Sequence, residues 1–336
     1  MEKHLPVSGF HPLRILAGGL SSVLLAVPSL KAELIAYESF DYNPEGIFGP
    51  ADLKGKNGGS GWSGEWIDFN RRFSPGATAP IEEGSLRYVD ADGKALETEG
   101  NKVHMDGSDE FGAQQTWLGR DFSMVPPNDP GSVLFISFIA QRIGQAADPA
   151  AYPDPERDMD YPYPFQDNLY PGPASLMTVN HLNPFEPASW EIRVGNVSEE
   201  TDTWKIQGKD VGKNRFGAPD TEVSFSENPA FAVLRIEYFA TEGEVDGQPA
   251  NVVGTRLALF MNPLLESMEV NIPDAEAVMT DDGAPYQTLI EGIGLSVVAS
   301  SQWFKIVNQL GDIPAAEMLV DEIRVGTDWD SVTPAS

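Results

Sequence analysis

The sequence predicts an all-β fold arranged as an antiparallel sandwich, and three observations carry that reading. Strand signals recur along the whole chain, long helical periodicity is absent, and 27 prolines with 32 glycines divide the apolar runs into short segments. Neither a regular strand-helix-strand alternation nor an internal repeat is present, which sets aside a parallel sheet and a solenoid.

The elements follow in order. The chain opens with Lys3 and Arg14 ahead of the apolar run ILAGGLSSVLLAV (Ile15 to Val27), followed by Pro28-Ser29-Leu30-Lys31-Ala32. That run is shorter than the ~20 residues a bilayer-spanning helix needs, and it has the length of the apolar part of a secretory signal. Residues 1–32 are therefore expected to be a signal peptide, cut after Ala32 or after Ser29, which makes the product a secreted or cell-surface protein. Residues 33–336 are expected to form one domain, because strand signals stand at both of its ends and their strands can pair.

Nine segments are rich in β-branched or aromatic residues and are bounded by Gly, Pro, Asn or Asp: LIAYESF (34–40), SLRYV (85–89), VLFISFIAQ (133–141), SLMTVN (175–180), WEIRVG (190–195), FAVLRIEYFA (231–240), RLALFMN (256–262), LIEGIGLSVV (289–298) and MLVDEIRVG (318–326). Only PLLESME (263–269) and WFKIVNQ (303–309) suggest a helical turn or two.

Composition excludes several function classes. The formal net charge of −29 repels nucleic acid and anionic lipid, so neither is an expected partner. Such a surface keeps a protein in solution, and clustered carboxylates are also the oxygen ligands that calcium prefers. There is no cysteine. Stability must come from core area, to which bound metal can add, and zinc sites built on Cys and His are excluded. Beyond the leader the only histidines are His104 and His181, in separate segments, and nothing selects a serine to join either in a hydrolytic triad.

Within NGGSGWSGEW (57–66), Gly59 to Gly64 spell G-x-G-x-x-G. A dinucleotide loop needs a buried strand before it and a helix N-terminus after it. Here ADLKGKNG precedes and EWIDFNRRFSPG follows, so no nucleotide cofactor is expected. The stretch reads as a glycine-rich bend that sets Trp62 and Trp66 against a sheet face.

Between residues 146 and 173 the composition changes to a Pro/Asp/Tyr-rich excursion with seven prolines and no strand pattern. Tyr152, Tyr161, Tyr163, Phe165 and Tyr170 alternate with Asp154, Asp158, Asp160 and Asp167. Aromatic faces beside carboxylates suit a sugar ring, with stacking on its C–H face and acceptors for its hydroxyls. The competing reading is a flap that uses the same rings to pin itself to the sandwich.

YESFDY (37–42), NGGSGWSGEW, Asn262-Pro263 after the strand RLALFM, and LVDEIRVGTDWDSVTP (319–334) together resemble the exported proteins of planctomycete and verrucomicrobial type that carry a concanavalin A-like lectin/glucanase domain. The resemblance implies a concanavalin A-like jelly roll and a polysaccharide or cell-surface glycan as partner. Relatives often end in a Pro-Glu-Pro sorting signal with an apolar anchor, whereas this sequence stops at Ser336 without one. Hydrolases of the fold place two carboxylates about 5–5.5 Å apart on one strand face. No such strand is found: Glu237 and Glu242 fall on opposite faces, and DMDYPYP (158–164) is loop-like.

The last strand adds a metal expectation. By alternation Leu319, Asp321, Ile323 and Val325 share one face, so Asp321 would project among apolar neighbours. MLVDEIRVG also resembles the closing strand of the laminarinase-like hydrolases of this fold, and that resemblance implies a structural-calcium ligand at Asp321, with Glu38 or Asp41 nearby if the end strands pair. The alternative is a salt bridge to an arginine, or a hydrogen bond to a backbone N–H or a tryptophan. Three functions stay open: a non-catalytic carbohydrate-associated or surface-matrix protein, a glycoside hydrolase or polysaccharide lyase with a displaced site, and a purely structural exported protein.

Overall fold

The computed structural model describes residues 33–47, 49–68, 78–106, 115–143, 177–179, 191–195, 203–210, 213–214, 220–224, 228–245, 248–281, 284–298 and 317–336. The predicted signal peptide, the excursion with its five aromatics, His181 and the segment WFKIVNQ lie outside the described residues.

Among the described residues eighteen strands follow in chain order: β1 (Leu34–Glu38), β2 (Trp62–Asp68), β3 (Ile81–Glu82), β4 (Lys102–Asp106), β5 (Gln115–Phe122), β6 (Val133–Arg142), β7 (Met177–Val179), β8 (Glu191–Gly195), β9 (Thr203–Asp210), β10 (Lys213–Asn214), β11 (Asp220–Ser224), β12 (Ala230–Val245), β13 (Gln248–Met261), β14 (Ala275–Val278), β15 (Thr280–Asp281), β16 (Ala284–Pro285), β17 (Gly292–Val298) and β18 (Glu317–Gly326). One helical turn, α1 (Trp329–Val332), follows with Asp328 as its N-cap, the Asp328 carboxylate accepting from the Ser331 N–H.

The first sheet runs β14-β13-β12-β6-β18-β4-β3, with β1 also paired to β18. The second runs β10-β9-β8-β7-β17-β5-β2, with β11 on β9. Every described pairing is antiparallel, and the two end strands pair as the sequence suggested, Glu38 standing opposite Ile323. Between the sheets, Ile136, Phe138, Leu234 and Ile323 of the first meet Leu118, Ile192, Ile206 and Leu295 of the second. Each such side chain, fully buried, contributes about 1.5–3 kcal/mol.

The first sheet is covered on its other face too. Leu86, Tyr88, Phe135, Ile139, Phe231, Phe260, Leu319 and Trp329 form a second apolar cluster there, beneath the strap of residues 84–99 and beneath α1. Double-sided burial explains why β6 over residues 133–140 and the start of β12 over residues 230–234 read as near-continuous apolar runs. It also corrects one expected strand: SLRYV forms no ladder beyond a single bridge from Val89 to Ala95. Instead it inserts Leu86 and Tyr88 into this cluster, and the Tyr88 hydroxyl donates to the Pro263 carbonyl at 2.7 Å. PLLESME forms no helix before its last two residues, which open the single 3-10 turn Met268–Val270.

Candidate functional site

The glycine stretch and Glu38 are parts of one buried network between the sheets. Glu38 lies on the core face of β1 with no exposed surface, and Arg120 reaches it from β5. One Glu38 oxygen accepts from Arg120 Nη1 at 2.8 Å, Tyr42 OH at 2.9 Å and Trp66 Nε1 at 3.1 Å, while the other accepts from the Phe40 N–H at 3.1 Å. Arg120 spends its remaining donors on the loop, giving Nε to Gly64 O at 2.9 Å, Nη1 to Gly58 O at 2.8 Å and Nη2 to Asn57 Oδ1 at 2.8 Å. The guanidinium also lies 5.6 Å from the Trp62 ring, which stacks on Phe122.

This arrangement requires the glycines. Gly59, Gly61 and Gly64 have φ of 67°, 78° and 76°, a region that L side chains rarely adopt. A Cβ on Gly61 would strike the Ile35 carbonyl oxygen, and one on Gly59 the Tyr37 carbonyl oxygen. The bend therefore exists to bring backbone against β1 and to present carbonyls to Arg120. As expected it anchors both indoles, Trp66 fully buried and Trp62 half-buried. Burial, with the Glu38 carboxylate beside it, pushes the Tyr42 phenol up to about 12.

Asp321 sits on the opposite side of the first sheet. The parity expected for β18 is broken, because Glu322 adopts φ of 57° and the pairing to β6 shifts between Asp321 and Arg324. Leu319 and Asp321 consequently face the outer cluster, while Ile323 and Val325 return to the core between the sheets. Asp321 accepts from the Leu86 N–H and from the Glu322 N–H, both at 2.7 Å. Glu322 accepts from the Glu99 N–H at 2.6 Å and Tyr37 OH at 2.9 Å, and pairs with Arg324 at 2.6 Å. Burial raises both carboxyls, Asp321 to about 8 with Glu322 adding to the rise.

Asp321, Glu38 and Asp41 therefore do not converge. Asp321 and Glu38 point to opposite faces and Asp41 is exposed. Among the described residues no group of three or more acidic or histidine side chains is placed to share a cation. His104 bridges strands, its Nδ1 at 3.1 Å from Glu82 and its Nε2 at 3.2 Å from Glu317. Those two carboxylates take opposite edges of the ring and cannot join it around one ion.

The second sheet shows a different pattern on the face turned away from the core. Cross-strand register aligns Gln207, Arg193, Thr178, Gly294 and Gly119 across five strands, while their neighbours Ile206, Ile192, Ile293 and Leu118 point inward. Glycine within a strand marks close approach by a ligand or by another backbone. On this same face Trp117 and Lys205 are buried. The excursion at 146–173 connects β6 of the first sheet to β7, the strand that carries Thr178 into this row.

The two stacked antiparallel sheets, with a shared apolar core between them, form an antiparallel β-sandwich. No known family model matches the chain, and no curated protein matches it by sequence. Among solved structures it is similar to the globular domain of Trypanosoma cruzi calreticulin at 12% identity and a TM-score of 0.44, covering 88% of each chain. It is also similar to a glycoside hydrolase family protein from Mycobacterium thermorestibile at 10% identity and a TM-score of 0.40, covering 87% of this chain and 100% of that one. A β-1,3-glucanase from Mycobacterium marinum shares 10% identity at a TM-score of 0.38, with 88% of this chain and 99% of that one covered.

Proposed function

We propose that the chain is an exported, non-catalytic β-sandwich protein that associates with carbohydrate, through the aromatic–acidic excursion and the outward row of the second sheet. The observation that carries this reading is the excursion itself. Five aromatics interleaved with aspartates fall in the sequence between β6 and β7, and β7 pairs with the strand that carries Arg193; that residue chemistry fits stacked sugar rings with hydrogen-bonded hydroxyls. The non-catalytic part rests on how the buried carboxylates are used: Glu38, Asp321 and Glu322 each meet donors that hold the fold together.

A glycan-array screen of the wild type beside the triple variant Tyr161→Ala/Tyr163→Ala/Phe165→Ala tests the proposal. Wild-type binding that falls by about tenfold or more in the variant, with an unchanged Tm, is the expected result; loss of about 1.4 kcal/mol corresponds to that factor. A matching drop in Tm identifies the rings as packing groups instead. Release of reducing ends from a bound glycan would overturn the non-catalytic assignment.

A further inference from the structure

Asn57-Gly58 stands in an unusual chemical setting. In an Asn-Gly pair the glycine nitrogen meets no side chain on its way to the Asn carboxamide carbon, so ring closure is as easy as a peptide allows. The Gly58 nitrogen loses its proton and bonds to Asn57 Cγ, the Cγ–N bond of the carboxamide breaks, and ammonia leaves with that proton. Water, the sole co-reactant, then opens the succinimide on either side and yields aspartate or isoaspartate.

In this fold both reacting groups are held. The Gly58 N–H donates to Tyr42 OH at 2.9 Å, whose own proton goes to Glu38. Asn57 Oδ1 accepts from Arg120 Nη2 at 2.8 Å, and the Gly58 carbonyl accepts from Nη1 of the same guanidinium. Asn57 itself is exposed, so water has access. The peptide plane and the side chain that must rotate toward each other are thus fixed by one buried ion pair.

The loop also has no slack for the isoaspartyl product, which inserts a methylene into the backbone. A Cβ on Gly58 would already come within 2.6 Å of the Tyr42 ring, and Cβ atoms on Gly59 and Gly61 would strike the Tyr37 and Ile35 carbonyl oxygens of β1. We propose that Asn57-Gly58 is a latent self-modification site: the Tyr42–Glu38–Arg120 network holds it unreacted in the folded chain, any opening of the bend releases it, and an isoaspartate formed there bars return to the native bend. The pair therefore records unfolding as a permanent covalent mark.

The test is peptide mapping by mass spectrometry of full-length protein aged at neutral pH, folded or in urea, with Asn57→Gln as the control that assigns the signal to this position. Conversion in the folded wild type should be slower than in urea by about tenfold or more, because reaction is limited to the locally open fraction. Tyr42→Phe, which keeps the ring and removes the acceptor for the Gly58 N–H, should move the folded rate toward the urea rate. After transfer out of urea, isoaspartyl chains should fail to regain the wild-type Tm while unconverted chains regain it. Equal rates in folded and unfolded wild type, or isoaspartyl chains refolding to the wild-type Tm, would overturn the proposal, and neither result depends on the behaviour of the Tyr42 variant.

Discussion

The two faces of the first sheet both bury acid, and they do so by different means. On the inner face Glu38 meets one guanidinium, one indole, one phenol and one backbone N–H. On the outer face Asp321 and Glu322 adjoin in sequence, with Arg324 as the cation bonded to Glu322. Backbone N–H groups from the strap supply much of the rest. The inner site is closed by a cation for its acid, whereas the outer site carries an excess of acid and its carboxyls are pushed toward the protonated form. Charge balance, beyond burial alone, decides what a buried carboxylate does to a fold.

The largest effect should come from breaking the inner balance. Arg120→Met leaves Glu38 buried without its cation, and we expect a loss of about 3–5 kcal/mol in urea unfolding. Glu38→Gln combined with Arg120→Met should recover part of that loss, and a double variant no better than Arg120→Met would show that loop contacts, not charge, dominate. On the outer face Asp321→Asn sets an amide N–H against a backbone N–H at Leu86 or Glu322. It should cost about 1–3 kcal/mol, so an Asp321→Asn loss exceeding that of Arg120→Met would invert the comparison.

The smallest effect belongs to Tyr42→Phe, expected at about 1 kcal/mol, and it sharpens the comparison through pH. The Tyr42 phenol is raised from 10 to about 12 in the fold, so its contribution is fully present below pH 10 and is lost as pH rises through about 12. Alkaline unfolding followed by far-UV circular dichroism should therefore be shallower in Tyr42→Phe, though still present, because burial raises Tyr37, Tyr88 and Tyr238 in the same direction. An alkaline limb identical to that of the wild type would detach Tyr42 from the network.

What the sequence revealed follows the same division. β6, β12 and β18 were legible because a strand covered on both faces is rich in apolar residues of both parities, as in VLFI, AFAVL and MLV. β2, β4, β5 and β9 passed unseen. In QTWLGRDF the arginine that looks like a surface residue faces the core, and only the tertiary position of Glu38 makes that tolerable. SLRYV alternates like a strand, yet its Leu86 N–H is satisfied by a carboxylate from a residue 235 positions away. The face of Asp321 depended on the bulge at Glu322, and period-two reasoning carries straight across a bulge without registering it. The bend at 57–66 was read correctly because glycines and indoles leave a strong local trace, although the guanidinium that organises it lies far along the chain.

The position of β18 bears on how the chain can be made. This strand follows the other seventeen of the described residues, yet it sits in the middle of the first sheet, between β6 and β4, and carries β1 as well. Until residues 317–326 are available, β6 has an open edge on that side and β4 and β1 lack this partner. A nascent chain that has emerged only as far as β17 therefore cannot complete its first sheet, and its apolar strands wait exposed for a pairing of long sequence separation, which is slow to find. Assembly of this sandwich is held back until nearly all of the described chain has been delivered, and the ribosome or any pore through which the chain passes hands over a polymer that is still flexible.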